Sequence, residues 1–204
     1  MNDCIGVILA GGLARRMGGG DKPLVEIAGR PILQHVVDRL KPQCARLAIN
    51  ANGDPGRFSA FGLPIICDSV EGFAGPLAGV LAGMDFGAAK GAAHVLSAPG
   101  DTPFLPADLL SRLQAAHTHA GATIAVAASN GRTHHVVALW PVALREDLRR
   151  ALVAEDERRV SAFIGRYANA VVDWPIEPYD PFFNVNRPED LARAEAIAKE
   201  ESRS

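Results

Sequence analysis

Cysteine, charge imbalance and long apolar runs are all scarce in this sequence, and each scarcity removes a class of protein. Three cysteines, Cys4, Cys44 and Cys67, stand far apart with no CxxC pair, so neither a disulfide framework nor a zinc site is expected. Each lies in or beside an apolar run and is expected to be a buried, inert thiol. A formal net charge of -2, with 21 basic residues scattered along the chain, offers no footprint for nucleic acid or an anionic membrane surface. Apolar stretches are broken by Gly, Pro or charge well before the roughly 18 residues of a membrane span. Asn2 and Asp3 stand where a secretory leader would carry basic residues, so a cytoplasmic location and a small-molecule ligand are expected.

What is present is an average globular composition, 48% hydrophobic and 22% charged over 204 residues. That is enough for one sizeable core. A single domain over 1–204 is expected, with a frayed tail from about Lys199. Runs at Ile5–Ala10, Leu47–Asn50, Pro64–Cys67, His94–Ala98, Thr123–Ala128, His135–Trp140 and Ala170–Trp174 read as strands. Helical patterns fall between most of them, at Pro31–Leu40, Leu77–Ala88, Pro106–Ala120, Val142–Ala154 and Pro188–Lys199. The alternation predicts an α/β domain with a Rossmann-like, doubly wound, mostly parallel sheet. Asn130-Gly131 between the fifth and sixth runs predicts a tight turn and a small antiparallel insertion.

The first strand leads into Leu9–Leu24, LAGGLARRMGGGDKPL. Neither GxGxxG nor GxxxxGK[ST] fits it, because Lys22 stands between Asp21 and Pro23. Its glycines nevertheless let backbone N–H groups approach anionic oxygens, and Arg15, Arg16 and Lys22 supply compensating charge. A polyphosphate is the ligand this chemistry suits. Asp101, following the apolar run at 94–98, would lie at the same sheet edge and offers a hard oxygen to Mg²⁺. It precedes the next helical pattern by too many residues to cap it simply.

The stretch matches LAGGxxxRMGGxDK at every fixed position. In this it resembles the nucleotidyltransferases of GT-A-like, Rossmann-related fold, and most closely the molybdenum cofactor guanylyltransferase family. The resemblance continues through Asn50-Ala51-Asn52, Asp68, Gly75-Pro76-Leu77-Ala78-Gly79, Pro99-Gly100-Asp101-Thr102-Pro103 and Phe183-Asn184-Val185-Asn186. It departs at Arg187, where Thr is usual, and at His135, where Pro commonly follows the preceding His134.

The resemblance implies that Leu9, Ala10 and Gly11 meet guanine through main-chain groups, that Lys22 meets the phosphates, and that Asn50 and Asp68 meet base or ribose. Arg16, Lys22 and Asp101 would be catalytic, with Asp101 the Mg²⁺ ligand and also part of the GTP site. Gly75, Pro76, His134, Asn184 and Asn186 would face the second substrate. Turn formation by Asn50 or Asp68, and helix capping by Asn186 ahead of Pro188, are the local alternatives. The implied reaction joins GMP from GTP to the terminal phosphate of molybdenum-molybdopterin and releases pyrophosphate. A phosphate monoester is largely ionised at neutral pH, so no general base is needed. Handover to cofactor-biosynthesis proteins or molybdoenzyme chaperones would follow. A cytidylyltransferase, a sugar-phosphate nucleotidyltransferase and a non-catalytic nucleotide-binding regulator are the rival readings.

Overall fold

The structure is a computed structural model that describes residues 3–11, 22–70, 72 and 75–201. Among the described residues nine strands form, in chain order: β1 (Cys4–Leu9), β2 (Glu26–Ile27), β3 (Arg30–Pro31), β4 (Arg46–Asn50), β5 (Ile65–Ile66), β6 (His94–Pro99), β7 (Ile124–Ser129), β8 (Arg132–Pro141) and β9 (Asn169–Trp174). The helices are α1 (Ile32–Leu40), α2 (Pro76–Ala89), α3 (Leu109–His119), α4 (Arg145–Val153), α5 (Val160–Ile164) and α6 (Pro188–Glu201). Seven strands form the main sheet in the order β5-β4-β1-β6-β8-β7-β9, and β2 with β3 makes a separate two-stranded ribbon. All seven expected strands and all five expected helices are present.

β1 is buried along nearly its whole length because both faces are covered. Ile8 packs with Leu33, Val36 and Leu40 of α1 and Leu109 and Leu113 of α3. Val7, one residue earlier and so on the other face, packs with Val80 and Met84 of α2 and Leu148 of α4. The result is a three-layer α/β/α domain. Helix α2 approaches β1 closely: a Cβ at Gly83 would stand 2.8 Å from Val7 Cγ1.

From β1 the chain winds outward through β4 and β5, then returns to the other side of β1 as β6. That reversal places a crevice at the carboxyl ends of β1 and β6, where doubly wound sheets bind ligands.

The hairpin predicted from Asn130-Gly131 is β7–β8, and both turn residues have positive φ, 48° and 71°, as a type I′ turn requires. Its second strand lies inside the main sheet, antiparallel to both β6 and β7. Pairing shifts from Val126–Ala138 to Ala127–His134, so 135–137 bulge out of register. Ser97, fully buried, holds this bulge: its Oγ donates to Val136 O at 2.6 Å and accepts from Trp140 Nε1 at 2.8 Å. Ser97→Ala leaves both groups short of a partner and is expected to cost about 2 kcal/mol. A lowered midpoint of urea unfolding would register it, and an unchanged one would deny Ser97 this role.

Three features differ from expectation. Cys4 is buried and Cys44 partly so, but Cys67 is exposed, because it follows a two-residue strand at the sheet edge. The neighbouring Cys44 thiol, with burial, pushes the Cys4 pKa up, so Cys4 stays a thiol. Helix α6 runs through the segment expected to fray as far as Glu201, whose carboxylate meets Arg39 and Tyr179. The ribbon β2–β3, helix α5 and the 3-10 turn Pro55–Phe61 are additional elements.

No helix among the described residues is long and apolar enough to cross a membrane.

Candidate active site

Two main-chain hydrogen bonds set the floor of the crevice. Ala10 N donates to Asn50 O at 2.9 Å, and Gly100 N donates to Leu9 O at 2.9 Å, so the loops leaving β1, β4 and β6 are tied together beyond the sheet. A Cβ at Gly100 would lie 3.3 Å from Leu9 O, a tight contact. Gly11 is exposed with open space around it. Arg16, with Arg15 and the rest of 12–21, lies outside the described residues.

Lys22 and Asp101, 79 residues apart, meet at the centre of the crevice as an ion pair between Nζ and Oδ2. The two side chains are 12% and 19% exposed, so each charge depends on the other for solvation. Lys22 Nζ also donates to Asn186 Oδ1 at 2.5 Å. Asn184 Nδ2 donates to Asp101 Oδ1 at 2.8 Å and to Thr102 Oγ1 at 3.0 Å, while Val185 N donates to Asp101 O at 3.0 Å. The 184–186 segment is thus pinned to the turn after β6.

Asn186 does not cap α6 with its side chain. Instead Asp190 reaches back, and its Oδ2 accepts from the N–H groups of Asn186 and Arg187 at 2.8 and 2.9 Å. This reversed cap satisfies the helix start and leaves the Asn186 amide turned towards Lys22.

A second cluster forms beside β1. Asn50 Nδ2 donates to Asp68 Oδ1 at 3.0 Å and to Ile66 O at 3.2 Å. Asn52 donates to Asp68 Oδ2 at 2.7 Å and accepts from Asp68 N at 2.9 Å. The Asp68 carboxylate is therefore oriented by two amides. Gly79 makes room for this cluster, since a Cβ there would fall 2.3 Å from Asn50 Oδ1. Gly75 and Pro76 form the exposed start of α2, one turn before Gly79.

A third feature is a cavity of about 410 Å³ adjoining Asp101. Thr102 and Asn184 form one wall, and His134, His135, Arg132 and Arg159 bring its polar and cationic side chains. The bulge at 135–137 turns this part of β8 towards the cavity. Sequence reasoning found His134 but missed Arg132 and Arg159, which lie in no motif. It also missed Asn52 as the partner of Asp68, although the Asn-x-Asn spacing after β4 was a usable signal.

Among the described residues no three His, Cys, Asp or Glu side chains gather as a metal cluster. Asp101 Oδ2 and Asn186 Oδ1 converge on the Lys22 ammonium, a pair of hard oxygens around a monocation. Such donors suit Mg²⁺, which commonly takes one or two carboxylates and completes its shell with phosphate and water.

A crevice at the switch point of a doubly wound sheet, with a lysine–aspartate pair between two polar niches, defines a nucleotide-handling α/β protein. The MobA-like NTP transferase domain matches residues 6–171, and the chain belongs to this family of nucleotidyltransferases. The molybdenum cofactor guanylyltransferase of Rhodopseudomonas palustris (strain BisB5) is 63% identical over 199 residues, 97% of this chain and 95% of that protein. The protein of the same name from Bradyrhizobium sp. (strain ORS 278) is 58% identical over 200 residues, 97% of this chain and 94% of its own length. In fold, the chain is similar to the crystal structure of molybdopterin-guanine dinucleotide biosynthesis protein A from Archaeoglobus fulgidus. The TM-score is 0.73 at 24% identity, covering 97% of this chain and 99% of that one.

Proposed function

We propose that the chain is a single-domain molybdenum cofactor guanylyltransferase, which transfers GMP from GTP to the terminal phosphate of molybdenum-molybdopterin. The observation that carries this reading is the position of the Lys22–Asp101 pair between the Asn50–Asp68 cluster and the arginine-lined cavity. One niche offers oriented amide and carboxylate groups to a base or ribose. The other offers Arg132 and Arg159 to an anionic acceptor.

In the reaction an acceptor phosphate oxygen attacks the α-phosphorus of GTP. The α–β phosphoanhydride bond breaks, a new phosphoanhydride forms, and pyrophosphate leaves with the bond's electron pair. The attacking phosphate is ionised at neutral pH, so the chain's task is alignment and charge compensation. Lys22 exchanges its carboxylate partner for the phosphates, with Arg16 assisting. Asp101 and Asn186 would hold Mg²⁺, which would neutralise phosphate charge. Leu9, Ala10 and Gly11 pass along the nucleotide through their backbone. The start of α2 at Gly75 and Pro76 offers the positive end of its helix dipole to anionic substrate, and His134 and Asn184 meet the acceptor.

Incubation of the chain with GTP, Mg²⁺ and molybdenum-molybdopterin is expected to give a product heavier than the acceptor by one guanylyl group, GMP less water, read by mass spectrometry. Pyrophosphate release without that adduct would defeat the acceptor assignment. Gly79→Ala tests the nucleotide side. The new Cβ displaces the Asn50 amide from Asp68, so the KM for GTP is expected to rise about tenfold while the acceptor KM holds. An unchanged KM for GTP would remove Asn50 and Asp68 from nucleotide recognition.

A further inference from the structure

One polar side chain in contact with His134 is buried and belongs to no motif. Ser129, the last residue of β7, is 1% exposed. Its Oγ lies 2.7 Å from His134 Nε2 and 2.9 Å from Asp180 Oδ1. Asp180 Oδ1 also accepts from Phe182 N at 2.9 Å, so that oxygen is committed as an acceptor on both sides. A serine hydroxyl has one proton to give. With that proton on the bond to Asp180, the short contact to His134 has to be donated by the imidazole, from Nε2–H.

The ring is fixed in its other directions as well. His134 packs on Phe182 with ring centroids 4.7 Å apart and planes inclined at 33°, and Phe182 stands edge-on to Trp174 at 5.4 Å. Burial holds the His134 pKa below its ordinary value despite the pull of Asp180, and Arg132 and His135 act in the same direction as burial. The imidazole is therefore neutral at pH 7, the state in which the choice of tautomer matters. With Nε2 protonated, Nδ1 carries a bare lone pair, on a ring that lines the cavity beside Asn184.

We propose that Ser129 and Asp180 are positioning residues that hold His134 as the Nε2–H tautomer, so that Nδ1 accepts a hydrogen bond from an N–H group of the acceptor's heterocycle. The inference rests on reading this cavity as the acceptor site, and it gives the site a means of selecting its ligand. The arginines attract any anion, whereas a fixed acceptor atom discriminates between heterocycles that present N–H and those that do not. The same Asp180 carboxylate orders the backbone at Phe182, two residues before Asn184, so the hairpin and the Asp101-binding segment are set by one chain of hydrogen bonds.

The test has two arms. Long-range proton–nitrogen NMR spectra of histidine-labelled protein, without substrate, are expected to show His134 protonated at Nε2 and bare at Nδ1. In Asp180→Ala the serine proton is free to turn to Nε2, and a population protonated at Nδ1 should appear. Wild-type protein protonated at Nδ1, or an unaltered tautomer in Asp180→Ala, would overturn the proposal. In the kinetic arm, Ser129→Ala is expected to raise the acceptor KM about tenfold, the loss of one well-placed hydrogen bond, with the GTP KM within about twofold. Equal shifts in both KM values, or none, would reduce Ser129 to a structural role. A wild-type chain that shows the expected tautomer but transfers no GMP to the acceptor would defeat the functional reading alone. A chain that transfers GMP with His134 protonated at Nδ1 would defeat only this inference.

Discussion

Asp101→Asn is expected to lower kcat by about three orders of magnitude with the fold intact, measured as pyrophosphate release at saturating GTP and acceptor. The substitution keeps an oxygen able to accept from Asn184, so the 184–186 segment stays pinned through that bond and through the Val185 N–H. What it removes is the negative charge at the point where Lys22 and Asn186 converge. Groups that compensate charge in the transition state of acyl or phosphoryl transfer are typically worth a factor of about 10²–10³ each, and loss of a metal ligand belongs at the upper end. Thermal unfolding in parallel separates a chemical effect from a structural one. A variant with near-normal turnover would remove Asp101 from the reaction.

Lys22→Ala is expected to act differently, reducing kcat by about a hundredfold and raising the KM for GTP as well. Lys22 would hold phosphate charge both before and during transfer, so its loss weakens ground-state binding and the transition state together. It also strands Asp101, 19% exposed, without its partner. Thermal unfolding in parallel measures the penalty of leaving that carboxylate unpaired. Since the two residues act as one unit, the double variant should be little slower than the worse single one. Full additivity would show that Lys22 and Asp101 serve separate steps.

The parts of the fold legible in the sequence were those with a strong local signature. Strand β1 is apolar on both faces because helices cover both, and the β7–β8 turn is written in Asn130-Gly131. The insertion of β8 between β6 and β7 was not legible, because strand order is decided by long-range pairing that no local period encodes. Short elements escaped for a related reason. Two-residue strands at Glu26–Ile27 and Arg30–Pro31 and the five-residue α5 are too brief to show a period.

At the site, Lys22, Asp101, Asn184 and Asn186 come from three distant segments, and only their motifs identified them. The structure brings all four together. It also decides a point that the residues near Pro188 left open: Asp190 makes the cap, which frees the Asn186 side chain for Lys22. Ser129 and Asp180 carried no signal, since a strand-end serine and a loop aspartate 51 residues apart acquire meaning only when the hairpin folds against the 180–186 segment. Arg132 and Arg159 lie in no motif and carried no sequence signal. They meet at the cavity only once β8 and the residue before α5 are brought together by the fold.

Transfer of a guanylyl group to a phosphorylated pterin is the activity proposed for this crevice. Its most direct test is pyrophosphate release measured in parallel with GTP, CTP, ATP and UTP, with and without molybdenum-molybdopterin and with Mg²⁺ supplied. Acceptor-dependent release with GTP, far above the other three, is expected. A clear preference for CTP, or release with GTP that is indifferent to the acceptor, would contradict it.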